Sequence, residues 1–522
     1  MSRRSHRIED MLQCPPQELP RLLRTIISGY EQEQTKVLFD ILDFAKDSEY
    51  GRKYHFADIA SVEEFREMVP VSEYDDYRQS IERMKKGEEN ILFPGRADSF
   101  LVSTGTTGVP KYIPESKKGV EIKRIIGNMR TVELIRMIPE LMKEGKKVLA
   151  FTNASIYEKT EAGIPAGSAS GQAAAEAGMV MQKFVLPIEL LSMTEISAEA
   201  MDYMTMMFSI ADAGVVGLVC NNVAHFHNAM KLLDQKGLQM IEDIRHGTIS
   251  AEFPEEKKEL LLKNWHANPT RAEELEHIHK QGGWEIGSIW PSFQAVGCWL
   301  SSSVGRSAKE FRKLFPEKTL FLEWGYGASE GKFNIPMKAN SPEGPLAVFG
   351  YFFEFLPLGE ESPILLSETT AGESYELILT SYSGFYRYNI HDIVEIKESE
   401  EGWKTIEFLC KTSDRIQLGN SSLTAGELTR MIEEYEKEHH TFFRLYQGRA
   451  VEDKLYLYVE CVDEVWDQES LEAFLKEKLE KEGITLAGIE KMESGYRDSL
   501  YTKVLESGKT VNSTKLPVFL HS

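Results

Sequence analysis

The chain has 522 residues, 42% of them apolar and 27% charged, which is enough for one large domain and a smaller one, each with its own core. A formal net charge of −22 excludes a general affinity for nucleic acid phosphates or anionic membrane surfaces. Any nucleotide site must therefore be a local basic island, for which Lys111, Arg387, Arg415 and Lys515 are candidates. Five scattered cysteines without a Cys-x-x-Cys pair read as reduced, buried thiols. The closest histidine pairs, His225/His227, His277/His279 and His439/His440, lack the i,i+4 spacing that would set two imidazoles on one helical face to ligate a transition metal. No apolar run approaches a bilayer span, and the basic start from Met1 to Arg7 leads into Ile8-Glu9-Asp10 rather than an apolar signal core, so the expected compartment is the cytoplasm.

In chain order, Leu19, Leu22, Leu23, Ile26 and Ile27 share one helical face, which predicts an amphipathic helix over 18–30. From there to about Lys397, helical patterns alternate with short apolar strands, the pattern of an α/β fold. Phe100 to Val102 ends a strand; Leu320 to Leu322 and Tyr375 to Tyr382 are two more, the last closing on the turn signal Ser383-Gly384. After Asp414 the texture changes to the polar Gly419-Asn420-Ser421-Ser422, followed by a helix from Ala425 to Glu438, a strand from Leu455 to Cys461, and a helix lined by Leu471, Phe474, Leu475 and Leu479 that stops at Gly483. The expected organisation is a large domain over 1–415, a hinge over 416–422 and a small α+β domain over 423–522.

The most informative segment is Ser103-Thr104-Gly105-Thr106-Thr107-Gly108-Val109-Pro110-Lys111. Two glycines free the backbone to converge N–H groups on an anion, the hydroxyls add donors and Lys111 adds charge. The spacing is not that of a Walker loop. It resembles the Ser/Thr/Gly-rich loop of the acyl-adenylate-forming superfamily, enzymes that join a carboxylate to AMP. Further motifs follow in the order of that superfamily: Tyr326-Gly327-Ala328-Ser329-Glu330, Tyr386-Arg387-Tyr388-Asn389-Ile390-His391-Asp392 and Lys411-Thr412-Ser413-Asp414-Arg415. With Asp243 to Thr248, Ile289-Trp290-Pro291, Tyr351 to Pro357 and Val511 to Pro517, the chain is similar over nearly its whole length to the plant-type, auxin-responsive acyl acid amido synthetases. These conjugate acids such as indole-acetic acid or jasmonate to amino acids.

That resemblance implies a large adenylation domain of sheets flanked by helices with a barrel-like part, a small mobile carboxy-terminal domain, and ATP and Mg²⁺ as cofactors. It assigns the 103–111 loop to the triphosphate, the Tyr326 ring to adenine, Gly327 and Ala328 to the nucleotide-binding turn, Ser329 to the α-phosphate, Glu330 to Mg²⁺, Asp392 to the ribose hydroxyls, and Arg415 to the nucleotide. Lys515 would meet the charge that develops at the α-phosphate. Two departures stand out: Asn389 and His391 occupy the arginine and glycine positions of the plant Tyr-Arg-Val-Gly-Asp pattern, and Arg387 is expected to take over the missing catalytic charge. The stretch from Phe151 to Val185 has no plant counterpart, is expected to line the carboxylate pocket and leaves the acid unidentified; such divergence suits a microbial relative. The expected partners are a carboxylic acid and an amino acid, with neither nucleic acid nor membrane. An acid–thiol ligase using coenzyme A and a non-catalytic nucleotide or acyl-acid binder remain as alternatives, the first because its opening half-reaction is identical.

Overall fold

The computed structural model describes residues 18–103, 110–151, 158–167, 183–185, 196–263, 265–462, 466–506 and 516–520. It is an α/β molecule with three principal cores. The expected opening helix is present over Leu19–Ser28, with Leu19, Leu23, Ile26 and Ile27 buried. With the helix Tyr30–Ala45, it packs onto the first core, which runs into a six-stranded antiparallel sheet. The order in that sheet is Ile364–Leu365, Phe352–Pro357, Ser374–Thr380, Tyr388–Glu398, Lys404–Lys411, Gly344–Pro345.

The second core surrounds a four-stranded parallel sheet in the order Lys147–Ala150, Val215–Val219, Ala295–Cys298, Leu320–Glu323. Runs such as Val215-Val216-Gly217-Leu218 are buried throughout because helices cover both faces of a parallel sheet. One of those helices, Val223–His246, starts where Asn222 Oδ1 accepts the Ala224 N–H at 2.9 Å and ends at Gly247, whose φ of 68° turns the chain away. The expected strand ending at Val102 is Ser99–Ser103, and it forms a hairpin with Lys111–Glu115 in which Ser103 lies opposite Lys111. The loop between them is the phosphate-loop candidate.

The third core belongs to the carboxy-terminal part, with helices Ala425–His439 and Gln468–Lys481 against strands Phe443–Val451, Lys454–Cys461 and Leu486–Lys491. Thr424 and Glu427 make a reciprocal capping box at the start of the first helix. The segment expected as a hinge is ordered: Arg415–Leu418 and Ser421–Thr424 form a hairpin, with Ile416, Leu418 and Leu423 in the third core. Among the described residues no helix is long and apolar enough to cross a membrane, and Cys220, Cys298, Cys410 and Cys461 are buried free thiols.

Candidate active site

Ligands of open α/β sheets bind beyond the carboxyl ends of the parallel strands. There the strand Leu320–Glu323 leads into Trp324-Gly325 and a short hairpin, in which Phe333 N–H donates to the Tyr326 carbonyl and Ala328 N–H to that of Gly331 at 2.9 Å. Ser329 and Glu330 are thereby left at the tip. Gly327 has no room for a β-carbon, which would lie 2.6 Å from the Gly331 carbonyl oxygen.

Buried polar groups hold this turn from outside. Arg130 donates to the Tyr326 and Asn334 carbonyls at 2.8 and 2.9 Å, and Asn334 Oδ1 accepts the Tyr326 N–H at 2.8 Å. Lys123, paired with Glu115 at 2.6 Å, donates to the Ser329 carbonyl at 2.7 Å. The main chain of this turn is therefore satisfied at these points without the Ser329 and Glu330 side chains, and Glu330 itself is buried.

The antiparallel sheet brings the second half of the site. Asp392 and Lys411 are cross-strand partners, and Lys411 Nζ lies 2.7 Å from Asp392 Oδ1 while the Tyr326 hydroxyl donates to Asp392 Oδ2 at 2.8 Å. Asp392 holds the Lys411 ammonium above the usual lysine range, and Glu330 adds to that effect. The Tyr388 hydroxyl donates to Glu330 Oε1 at 3.3 Å. Tyr74 brackets the hairpin beneath the phosphate-loop candidate, accepting the Tyr112 N–H at 2.8 Å and donating to its carbonyl at 3.2 Å. Lys111 Nζ lies 5.1 Å from the centre of the Tyr74 ring. Glu330, Asp392 and Lys411 thus come together from three stretches of chain, with Tyr388 on Glu330 and Tyr326 on Asp392, while Lys111 lies over the Tyr74 ring.

The remaining expected site residues fall differently. Thr104, Gly105, Thr106, Thr107, Gly108 and Lys515 lie outside the described residues. Arg415 is exposed at the start of its hairpin. The Tyr326 ring is 6% exposed and stacks on Phe408 at 5.2 Å, with Phe333 at 5.1 Å, so it offers the site its hydroxyl rather than the open face expected for adenine. Arg387 is not the replacement charge that was expected. Its guanidinium is buried in a two-pronged pair with Glu354 at 2.9 Å and also donates to the Arg66 and Val69 carbonyls, which fixes the sheet to the segment before Ser72. The physical reason is local: Arg387 stands just before the strand Tyr388–Glu398 with a left-handed φ of 49°, and there its side chain meets the buried Glu354 carboxylate.

Lys411 shares its motif string with Asp414 and Arg415, and only strand pairing sets it opposite Asp392, so its place in the site is not legible from the sequence. His391, in the plant glycine position, keeps a left-handed φ of 60°. It is held there by ion pairs to Glu73 and Glu376, and the Glu376 carboxylate, ahead of Glu73, raises its basicity. Three other motifs are structural: Asp243 accepts from Tyr203, Thr248 and Ser250, Trp290 donates to the Ser209 carbonyl, and Glu354 takes Arg387.

No group of three or more metal-ligating side chains occurs among the described residues. Glu330 is a lone carboxylate at a turn tip, a donor set that suits a Mg²⁺ shared with phosphates and water and does not suit a transition-metal cage.

Comparison with known proteins agrees with this architecture. The chain is 23% identical over 482 residues to a jasmonoyl–L-amino acid synthetase of Nicotiana attenuata, covering 84% of this chain and 82% of that protein. It is 23% identical over 456 residues to a putative indole-3-acetic acid-amido synthetase of Arabidopsis thaliana, covering 81% and 77%. The solved structure of the GH3.15 acyl acid amido synthetase superimposes with a TM-score of 0.80 at 19% identity, covering 97% of this chain and 94% of that one. A 2-hydroxyisobutyryl-CoA ligase in the postadenylation state shares the fold more loosely, with a TM-score of 0.52 at 11% identity over 93% and 88%. Residues 22–320 match the GH3 family N-terminal domain and residues 345–411 the GH3 family central domain, and with more than half its length so matched the chain belongs to the GH3 family.

Proposed function

We propose that this protein is an ATP-dependent acyl acid amido synthetase, which activates a small carboxylic acid as its acyl-adenylate, releases pyrophosphate and passes the acyl group to an amino acid. The grouping of Glu330, Asp392 and Lys411, where the hairpin after the parallel sheet meets the antiparallel sheet, carries this reading, in a chain similar to named amido synthetases over about four-fifths of its length. Attack of a carboxylate on the α-phosphate brings two anions together, so cations and hydrogen-bond donors placed around the phosphate do most of the work. Lys111 and the 104–109 loop would face the β- and γ-phosphates, and the Ser329 hydroxyl the α-phosphate. Asp392 keeps two of its roughly four lone-pair positions for ribose hydroxyls, Tyr326 and Lys411 having taken the others. Glu330 would hold Mg²⁺, which when bound neutralises phosphate charge. Lys515 and a small domain that pivots about 416–422 would complete the first step and then admit the amine.

The coenzyme A reading is separated by product. The helix Gln468–Lys481 pairs Lys476 with Glu472, Lys478 with Glu434 and Lys481 with Glu477, which leaves no basic patch there for a phosphorylated nucleotide. A screen of carboxylic acids for pyrophosphate release, with each amino acid and with coenzyme A in turn and products read by mass spectrometry, should give an amide. A thioester without any amide would leave adenylation standing and reject amide synthesis.

A further inference from the structure

Glu323 ends the last strand of the parallel sheet, is 5% exposed, and uses its two oxygens separately. Oε2 accepts the Leu300 N–H at 2.7 Å and Oε1 the Gly325 N–H at 2.9 Å. Leu300 belongs to the connection from the neighbouring strand to the helix Ser302–Glu310, while Gly325 opens the hairpin that carries Ser329 and Glu330. The two strands run side by side up to the bond from Trp324 N–H to the Cys298 carbonyl. Beyond it, among the described residues, the two connections are joined through the Glu323 carboxylate and not by further main-chain pairing. An apolar side chain would fill this space without the several kcal/mol that burying a carboxylate costs. Only an acceptor with two separate oxygens joins both main chains.

We propose that Glu323 is a positioning residue for acyl-adenylate formation, tying the entrance of the helix Ser302–Glu310 to the hairpin 326–333 and so fixing where Ser329 and Glu330 stand relative to the nucleotide. This rests on the adenylation reading of the site. The ionised form is the better brace, because protonation converts one of the two acceptor oxygens into a donor. Burial pushes the Glu323 carboxyl up to about 7, against the opposing pull of the Leu300 and Gly325 N–H groups and of Arg130. The charged and titratable groups that bear on it are Arg130 from the helix Lys117–Met137, the Cys298 thiol from the neighbouring strand and Glu407 from the antiparallel sheet. The bracing should therefore tighten, and the adenylation rate rise, as pH increases through about 7.

Acid-dependent pyrophosphate exchange by the wild-type protein, Glu323→Gln and Glu323→Asp, measured from about pH 5.5 to 8.5, tests this. The glutamine variant should lose about tenfold in kcat with the KM for the acid unchanged, and should lack the rise through neutral pH. The aspartate variant, one methylene too short to span both N–H groups, should lose rate yet keep the pH dependence. A glutamine variant with wild-type kcat and wild-type pH profile overturns the proposal. If that variant does not fold, an aspartate variant at the wild-type rate does so instead. A wild-type protein without acid-dependent exchange would sink the adenylation reading and this inference with it, an outcome the wild-type control separates from the others.

Discussion

Single side chains in this site do their work through partners supplied by distant parts of the chain. Glu330 has a carboxylate oxygen engaged by Tyr388 and projects from a turn tip whose main chain is secured by other groups. Glu330→Gln should therefore slow acyl-adenylate formation about 100-fold or more, read by pyrophosphate exchange, while the thermal unfolding midpoint stays near wild type. Lys411 is the cation paired with Asp392, so Lys411→Met should weaken nucleotide binding about tenfold, about 1.4 kcal/mol, in a direct titration with ATP. Arg387→Met should do something else. It strips the buried Glu354 of its two-pronged partner, leaving Arg66 at 3.3 Å, and should lower stability by about 3 kcal/mol in denaturant unfolding. Arg387 and Asp392 lie five residues apart in one motif, yet Asp392 joins Lys411 and Tyr326 at the candidate site while Arg387 is a fastener, a distinction that composition and spacing do not carry.

At the scale of elements, local chemistry anticipated the strands and helices that carry clear periodicity, because amphipathic periodicity and caps act over a few residues. The helix over Ala425–His439 with its Thr424/Glu427 box and the strand Lys454–Cys461 stand where the pattern places them. The Gly419-Asn420 turn signal marks the tip of a hairpin: Gly419, at φ 62°, lets Ile416, Leu418 and Leu423 reach the third core. A stricter turn stands ahead of the Ser329–Glu330 tip. Gly325 has a φ of 99°, and a β-carbon there would lie 2.3 Å from the Arg130 guanidinium carbon. Gly325→Ala should cost about 3 kcal/mol in unfolding free energy, since it combines a left-handed conformation with displacement of Arg130 from two carbonyls.

Over the whole molecule, the small domain is docked on the helix Ser302–Glu310 through charge. Arg306 pairs with Glu436 and donates to the Phe443 carbonyl, while Glu310 receives both Arg444 and Arg497. Beside this interface His227 stacks on Phe311 at 4.2 Å, and burial, followed by Lys231, Arg497 and Arg444, pushes its imidazole down to about 4. Unfolded chains bind a proton here below about pH 6.5 and the folded one does not until about 4. Stability from this group is therefore complete above 6.5 and is lost as pH falls toward 4. The unfolding midpoint of His227→Asn should vary less than that of wild type across this interval, and equal slopes would remove His227 from the account. Lys515 belongs to the same scale, as the expected charge delivered across the domain boundary. Lys515→Ala should abolish pyrophosphate exchange and still allow amide formation from a supplied acyl-adenylate; equal loss in both would give it another role.

The sequence by itself determined the fold class, the order of the motifs and the kind of chemistry, because phosphate loops, caps and apolar periodicities are local and leave local marks. It also pointed to Glu330 and Asp392, which folding sets against Tyr388 and against Tyr326 and Lys411. Only the tertiary structure decided which charges meet. Lys411 joins Asp392 through antiparallel register, Arg387 is consumed by Glu354, the Tyr326 ring is covered by Phe408, and Glu323 gains a role from two main-chain groups in separate connections. These outcomes depend on contacts between residues far apart in the chain, where a carboxylate or a ring takes the nearest partner that burial leaves it, and a linear pattern of residue types does not encode that distance.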